Sequence, residues 1–323
     1  MRCNDRSCKH GTACGGGQVI QVERLTKRYG DRLAVNELSF IARDGAVTGF
    51  VGPNGAGKST TLRCIAGLDT PDAGTAHIDG QSYDRLLRPM TVLGAMLDPA
   101  WVHPGRTASA HLRWICAASS IAKQRCEEVL NLTGLTNVAN DRVSSFSLGM
   151  RQRLGLAVSL IGDPKHLILD EPLNGLDPEG VRWMRTFLRA AAADGKCIVV
   201  SSHLLTELQL VADDVVLIAQ GTLLDQAPVT DLVSRTGGTA ATLRIEGAAG
   251  TAARVLREAG WCVTDGGDHL SVSGGGDFDD IGRACHSAGV AVLELSRQVH
   301  TLEDAVLGLT QDHVEYVSGG GQR

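Results

Sequence analysis

The stretch Gly52-Pro-Asn-Gly-Ala-Gly-Lys58-Ser-Thr60 decides the fold of this 323-residue chain. It matches the pattern GxxxxGK followed by Ser or Thr, in which backbone N–H groups surround phosphate oxygens, the lysine reaches the β- and γ-phosphates and the hydroxyl ligates Mg²⁺. The alternative is an ordinary glycine-rich turn. Its surroundings favour the phosphate loop, because residues 46–51 read as a buried strand and residues 58–66 as a helix ended by Gly67. We therefore predict a nucleotide phosphate at a helix N-terminus.

Composition and charge limit the class of protein. The length suits one large and one small domain, and a 43% hydrophobic content is ordinary for a folded protein. The formal net charge of −5, without a basic stripe, argues against nucleic acid as a partner. No uncharged apolar run is long enough to cross a membrane, and the polar start does not resemble a signal peptide.

The nine cysteines are scattered, which is typical of reduced thiols in cytosol. One group stands apart, since Cys3, Cys8, His10 and Cys14 place four potential soft ligands close together. Their spacing lacks the paired CxxC form of zinc sites. We expect residues 1–17 to be a disordered tail, with zinc binding as the alternative.

The order of elements predicts an α/β architecture. Strand-like segments from residue 18 predict a small β-layer ahead of the loop, and residues from about 107 to 133 and from 149 to 161 read as helix. Strands then alternate with helices up to residue 219, which indicates a parallel sheet covered on both faces. The final part, 239–312, has the order βαββαβ plus a helix, as in a small α+β ferredoxin-like domain, and 313–323 reads as a flexible tail.

Two carboxylates follow the apolar strand that ends at Asp170. Asp170 is predicted to hold Mg²⁺ through water, and Glu171 to orient or deprotonate the water that attacks the γ-phosphate. Acidic pairs also occur at ordinary solvated strand ends. Their combination with a phosphate loop favours the catalytic interpretation.

The segment Ser145-Phe-Ser147-Leu-Gly149-Met-Arg-Gln-Arg153 predicts a second anion site. Ser147 suits a helix N-cap, and Gly149 leaves backbone exposed at the helix start. One chain does not need two cradles for the same γ-phosphate. The segment resembles the LSGGQ signature of the ATP-binding subunits of ABC transporters, which touches the nucleotide held by the partner subunit. This resemblance covers about residues 18–232.

The resemblance implies a P-loop NTPase of the ABC ATPase type, with a helical subdomain at about 98–161 and with ATP and Mg²⁺ as cofactors. Tyr29 resembles the aromatic residue that stacks on adenine, Asp177 lies in the D-loop at the dimer seam, and His203 matches the switch histidine that contacts the γ-phosphate. The predicted nucleotide contacts are Tyr29, Gly52, Pro53, Asn54, Gly55, Ala56, Gly57, Lys58, Ser59, Thr60, Ser147, Gly149 and Asp177. The predicted catalytic residues are Lys58, Glu171 and His203, and the predicted metal ligands are Ser59, Asp98 and Asp170.

Two positions depart from the pattern of the family. The signature reads Phe146-Ser-Leu-Gly-Met150, which keeps the serine and the second glycine and lacks the first glycine and the glutamine. At the usual place of the Q-loop glutamine stands Asp98, a shorter acid that is predicted to reach Mg²⁺ through water.

The signature form, the Val-His-Pro segment at 102–104 and the extra C-terminal domain resemble bacterial drug and antibiotic exporters of the bacitracin or daunorubicin type. This implies an ATP-hydrolysing subunit that forms a head-to-tail dimer with a second copy on ATP. It would work at the cytoplasmic face of the membrane, through a separate integral membrane permease. An importer subunit and a soluble ABC ATPase without a transporter stay open as alternatives. A non-hydrolysing ATP binder is disfavoured, because Lys58, Asp170, Glu171 and His203 are all present.

Overall fold

The computed structural model describes residues 19–98, 102–235, 239–247, 249–267, 269–274, 276–298 and 301–310. The two predicted tails, and with them Cys3, Cys8, His10 and Cys14, lie outside the described residues. In chain order the strands and α-helices are β1 (Val19–Tyr29), β2 (Arg32–Arg43), β3 (Val47–Val51), α1 (Lys58–Ile65), β4 (Ala73–Ile78), α2 (Pro89–Val92), β5 (Leu93–Met96), α3 (Ala108–Ala118), α4 (Gln124–Leu132), α5 (Leu148–Leu160), β6 (His166–Asp170), α6 (Pro178–Ala193), β7 (Cys197–Ser201), α7 (Leu205–Gln209), β8 (Asp214–Ala219), β9 (Thr222–Pro228), α8 (Val229–Arg235), β10 (Thr239–Ile245), α9 (Ala249–Glu258), β11 (Cys262–Asp265), β12 (Leu270–Gly274), α10 (Phe278–Ser287), β13 (Val292–Gln298) and α11 (Leu302–Thr310).

A three-stranded antiparallel sheet, in the order β2-β1-β4, forms the predicted β-layer. Apolar residues of β1 and β2 alternate toward one face, and there they pack against side chains of α1 and β3. Strand β4 was not among the predicted strands. That strand carries little apolar signal, because Ile78 is its one buried residue.

The central sheet has the order β5-β6-β7-β3-β8-β9. Its first five strands are parallel, and β9 pairs antiparallel with β8. All residues of β3, β6 and β7 are buried, as parallel strands covered on both faces require. Because these three strands are neighbours, the segments that follow them meet at one edge of the sheet. They are the phosphate loop, the acidic pair and the segment with His203. The sheet confirms the predicted P-loop α/β class.

Helices α3, α4 and α5 lie between β5 and β6 in the chain, and their apolar side chains join the main hydrophobic cluster of the central sheet. The stretch predicted as helical from 107 to 133 contains a break. Ser120 has a φ of 55°, a left-handed conformation that a helix interior does not accept, and α3 ends just before it.

The C-terminal part contains a four-stranded antiparallel sheet in the order β11-β12-β10-β13. Its hydrophobic cluster combines strand residues such as Leu243 and Val272 with Leu256 of α9 and Ile281 of α10. Together with the βαββαβ order of its elements, this is a ferredoxin-like arrangement.

Helix α11 packs away from that small domain. Its residues Leu302, Ala305 and Val306 join the main cluster of the central sheet, next to α7 and α8. The N–H of Leu302 donates to Gln209 Oε1 at 2.8 Å. The sequence predicts this helix as part of residues 239–312, since an apolar helix face does not reveal its partner.

Among the described residues, no helix combines the length and the apolar character that a bilayer span needs.

Candidate functional site

The loop between β3 and α1 has the backbone geometry of a phosphate cradle. A Cβ atom at Gly52 would lie 2.2 Å from the carbonyl oxygen of Ile218, and one at Gly57 would lie 2.5 Å from that of Ala34. Gly57 also has a φ of 98° and is the N-cap of α1, without a side-chain cap hydrogen bond. The first N–H groups of α1 therefore point out of an uncapped helix end, where an anion finds donors and a favourable dipole.

Lys58 is buried beside this loop. Its Nζ donates to the carbonyl oxygens of Gly52 at 2.7 Å and of Pro53 at 3.1 Å. Burial lowers the pKa of Lys58, and the nearby carboxylates of Glu171 and Asp170 act in the opposite direction. The ammonium group thus lies between the loop and the acidic pair.

Ser201, at the end of β7, holds both residues of the acidic pair. Its hydroxyl donates to Asp170 Oδ1 and accepts the N–H of Glu171 at 2.9 Å. The N–H of Glu171 also lies 3.2 Å from the Ser201 carbonyl oxygen. Glu171 has a φ of 50°, which is uncommon for a residue with a side chain and is found mostly where surrounding contacts enforce it.

His203 contacts Glu171 directly. Its Nδ1 lies 2.7 Å from Glu171 Oε2, and its backbone N–H donates to the same oxygen at 3.3 Å. When Nδ1 carries the proton, His203 donates a hydrogen bond to Oε2 of Glu171 and leaves Oε1 available to a water molecule.

A cavity of about 560 Å³ collects most of the predicted site. This size lies within the range of roughly 300–1,000 Å³ that is usual for ligand pockets. The predicted residues that line it are Tyr29, Asn54, Gly55, Gly57, Lys58, Ser59, Thr60, Asp98, Asp170 and Glu171. Other predicted residues do not line it, namely Gly52, Pro53, Ala56, Ser147, Gly149, Asp177 and His203.

Sequence reasoning missed several residues that line the cavity: Arg32, Ala34, Leu97, Leu148, Gln152 and Asn174. Arg32 pairs with Tyr29 across the β1–β2 turn. Gln152 lies one helical turn beyond Leu148, so both occupy one face of α5. The signals that could have revealed them are the hairpin turn for Arg32 and the helical spacing for Gln152.

Gln152 is 3% exposed and joins α5 to the segment after the acidic pair. Its Nε2 donates to the carbonyl oxygen of Asn174 at 3.1 Å and lies 3.5 Å from that of Glu171. Its Oε1 is buried and has no protein hydrogen-bond partner among the described residues. A buried acceptor beside the cavity fits a site that takes a hydrated ligand.

Oxygen ligands suited to Mg²⁺ line the same cavity. Ser59 offers a hydroxyl, and Asp98 and Asp170 offer carboxylates. Lys58 and the N–H groups of α1 supply positive charge for phosphate groups in the same cavity. The residues present therefore fit a magnesium-bound nucleoside triphosphate.

Tyr29 ends β1 at the rim of the cavity, and it is 47% exposed. Its hydroxyl donates to Asp69 Oδ2 at 2.5 Å, and Lys27 Nζ lies 5.4 Å from the ring centroid. The polar end of the side chain is thus tied down, while ring surface stays accessible to a base.

The signature segment and the D-loop use their polar side chains as helix caps. Ser147 Oγ accepts the N–H of Met150 at 3.2 Å at the start of α5. Asp177 Oδ1 accepts the N–H of Gly180 at 2.9 Å at the start of α6. A Cβ atom at Gly149 would lie 3.3 Å from the carbonyl oxygen of Gly175, so the two segments contact each other.

Comparison with known proteins places the chain in a family. The ABC transporter family pattern matches residues 35–174. The lantibiotic transport ATP-binding protein SrtF of Streptococcus pyogenes is 34% identical over 206 residues, which cover 64% of this chain and 89% of that protein. The bacitracin transport ATP-binding protein BcrA of Bacillus licheniformis is 36% identical over 220 residues, which cover 67% and 72% of the two chains.

A solved structure shares the fold. It is a dimeric ATP-binding cassette in a post-hydrolysis state bound to ADP and Pi, and it is similar to this chain with a TM-score of 0.59 and 22% sequence identity. The match covers 65% of this chain and 98% of the solved chain.

Proposed function

The chain belongs to the ABC transporter family as an ATP-binding subunit, and from that premise we propose that it drives the export of an antibiotic or similar amphipathic compound through a separate membrane subunit. Membership in this family makes it an ATPase. Two relatives carry names that state lantibiotic and bacitracin transport, and these names support the class of cargo.

The observation that carries the mechanism is the 2.7 Å contact between His203 Nδ1 and Glu171 Oε2 beside the cavity that Lys58 lines. Glu171 accepts the proton of the attacking water through its second oxygen, because His203 and Ser201 fix its carboxylate and backbone. Lys58 and the N–H groups of α1 balance charge on the phosphates. Bound Mg²⁺ supplies further charge neutralisation, and Ser59, Asp170 and Asp98 would hold it.

Tyr29 is assigned to the adenine base of the nucleotide. In this proposal adenine stacks on the exposed part of the ring, and the phosphates extend from there to Lys58 and Thr60, which line the same cavity.

A second copy of the chain completes the site. Ser147 and Gly149 lie outside the cavity of their own chain, at a helix start where Leu148 is exposed. We assign them to the γ-phosphate of the nucleotide in a partner chain, with Asp177 at the seam. The dimeric state of the solved cassette with the same fold supports this arrangement.

A second groove supports contact with the membrane subunit. It measures about 200 Å³, is lined by largely apolar residues of β5, α3 and α5, and is flanked by Trp114, which is 55% exposed. Leu97 and Asp98 line both this groove and the nucleotide cavity. If a helix end of the membrane subunit binds in this groove, it would move Asp98 and thereby affect the nucleotide site. The chain would then act at the cytoplasmic face of the membrane through that subunit.

The test is a transport assay with the membrane protein encoded by the neighbouring reading frame. Cells that express both proteins should tolerate a higher concentration of bacitracin or of a lantibiotic, and purified complex should hydrolyse ATP. Glu171→Gln should abolish both effects while ATP stays bound, because glutamine keeps the shape of the side chain and cannot accept the proton.

The same assay separates the alternatives. Accumulation of a compound inside the cells would identify an importer. An ATPase that is active alone and does not associate with any membrane protein would favour the soluble alternative. Unchanged hydrolysis in Glu171→Gln would contradict the role of Glu171.

A further inference from the structure

Tyr29 is connected to the phosphate loop by a chain of side-chain contacts that the proposed mechanism does not use. Tyr29 ends a strand of the β-layer, whereas the phosphate loop follows β3 of the central sheet. The relative position of base and phosphates therefore depends on how these two layers are held together. The loop after α1 makes that connection.

Asp69, in the loop after α1, accepts hydrogen bonds from two directions. Arg63 of α1 donates to it through Nε at 2.7 Å and through Nη2 at 3.0 Å. The Tyr29 hydroxyl donates to the same carboxylate at 2.5 Å. The backbone N–H of Asp69 lies 3.4 Å from the Arg63 carbonyl oxygen, so the residue is anchored to α1 twice. Since α1 begins at Lys58, the contacts lead directly from the phosphate loop to the ring.

The charge state of this triad fixes the direction of its hydrogen bonds. The Arg63 guanidinium lowers the pKa of Asp69 to about 2, so the carboxylate is ionised and acts as an acceptor only. The Asp69 carboxylate in turn raises the pKa of Tyr29, which keeps its hydroxyl protonated as the donor. Both partners are therefore held in the one protonation state that makes this bond.

A neighbouring acid acts differently. Asp72 accepts the backbone N–H of Arg28 at 2.6 Å and lies 3.8 Å from Lys27 Nζ. It therefore fixes the strand, whereas Asp69 fixes the ring at the end of that strand.

We propose that Asp69 is a positioning residue for the nucleotide base, which holds the Tyr29 ring at a set place relative to the phosphate loop. This inference rests on the proposed stacking of adenine on Tyr29. Without the bond to Asp69 the ring turns among several rotamers, and the ordering of such a side chain on binding has a cost that corresponds to roughly a two- to tenfold loss of affinity.

The experiment compares a ligand that has a base with one that has none. Dissociation constants for ATP and for inorganic tripolyphosphate, both with Mg²⁺, are measured for the wild type, Tyr29→Phe, Asp69→Asn and the double variant. We expect each single variant to bind ATP about two- to tenfold more weakly and to bind tripolyphosphate with unchanged affinity. The double variant should lose no more affinity than the single variant that binds ATP more weakly, because both substitutions act on the same contact.

Tyr83→Phe is the matched control, since burial raises the pKa of the half-buried Tyr83 without a charged partner. It removes one hydroxyl outside the site and should change neither dissociation constant.

Equal losses for ATP and tripolyphosphate would show that Asp69 supports the loop as a whole, and unchanged ATP binding in Tyr29→Phe would overturn the proposal. If Asp69→Asn does not fold, Tyr29→Phe decides alone.

Tyr29→Ala separates this inference from the proposed function. If Tyr29→Ala weakens ATP binding and Tyr29→Phe does not, the ring is the platform and the Asp69 contact is irrelevant to it. If Tyr29→Ala also leaves ATP binding unchanged, the stacking role assigned to Tyr29 is itself wrong.

Discussion

The phosphate loop and the signature segment are both helix N-termini, and they are built in different ways. At α1 the N-cap is Gly57, which has no side chain, so the first N–H groups receive no cap. At α5 the Ser147 hydroxyl satisfies the N–H of Met150. The first terminus opens into the cavity of its own chain, and the second segment reaches that cavity through the side chains of Leu148 and Gln152. Of these two helix termini, only α1 therefore offers its own chain uncapped backbone donors for phosphate.

A methyl group added to each terminus should lower ATP affinity strongly at α1 and hardly at all at α5. In Gly57→Ala the new Cβ lies 2.5 Å from the Ala34 carbonyl oxygen, at a φ of 98° that alanine rarely adopts. We expect ATP affinity to fall by more than about 100-fold, because the loop must move to relieve the clash. In Gly149→Ala the nearest atom is 3.3 Å away, and ATP affinity of the single chain should change less than about twofold.

Calorimetric titration of each variant with ATP measures both effects, and thermal unfolding shows that the variants fold. The matched change at α5 serves as the control for an added methyl group. Similar losses in the two variants would mean that the signature segment belongs to the nucleotide site of its own chain.

A mixed dimer shows whether Ser147 contacts the nucleotide of its own chain or that of the partner chain. One subunit carries Lys58→Ala and the other carries Ser147→Arg, so that in the trans arrangement both lesions fall on one site and the other site stays intact. When one subunit carries both changes, each site has one lesion. We expect about half of the wild-type nucleotide to be retained in the first dimer and much less in the second.

Retained nucleotide is counted in heterodimers isolated through two different affinity tags. Homodimers of each single variant serve as controls for the separate lesions. The opposite ranking of the two heterodimers would place Ser147 in the site of its own chain.

The smallest expected effect concerns the stability of the protein in acid, which depends on the ion pair between Asp69 and Arg63. The pKa of Asp69 is lowered to about 2 from an ordinary 3.8, so its ion pair stabilises the fold fully above pH 3.8 and loses this effect as the pH falls toward 2. The free energy of unfolding of the wild type should exceed that of Asp69→Asn by about 1 to 2 kcal/mol near neutral pH, and the excess should shrink below about pH 4.

Urea unfolding from pH 7 to pH 3 measures this excess. Glu258→Gln removes the exposed ion pair with Arg254 on α9 and provides the control, which should change little at any pH. An excess that grows as the pH falls would contradict the assigned charge state of Asp69.

Local patterns predicted the phosphate loop, the acidic pair and the caps at Ser147, because each depends on residues that are close in sequence. The continuous apolar runs of β3, β6 and β7 likewise predicted a buried parallel sheet, and the order of the sheet confirms it. The contact between His203 and Glu171 was not predictable from spacing. It depends on the adjacency of β6 and β7, which brings two distant segments to one edge.

Other features have no local signal. Strand β9 and helix α8 mix exposed and buried residues, so neither showed a clear period and neither was predicted. Arg32, Gln152 and Asn174 reach the cavity through tertiary packing, and their residue types are common on protein surfaces.

The packing of α11 has a consequence for how the small C-terminal domain is attached. Because α8 and α11 pack side by side, the polypeptide leaves the ATPase portion and returns to it at neighbouring points. The domain is thus an insertion between two adjacent helices of the ATPase portion. Two connections, one after α8 and one before α11, therefore join the small domain to the ATPase portion.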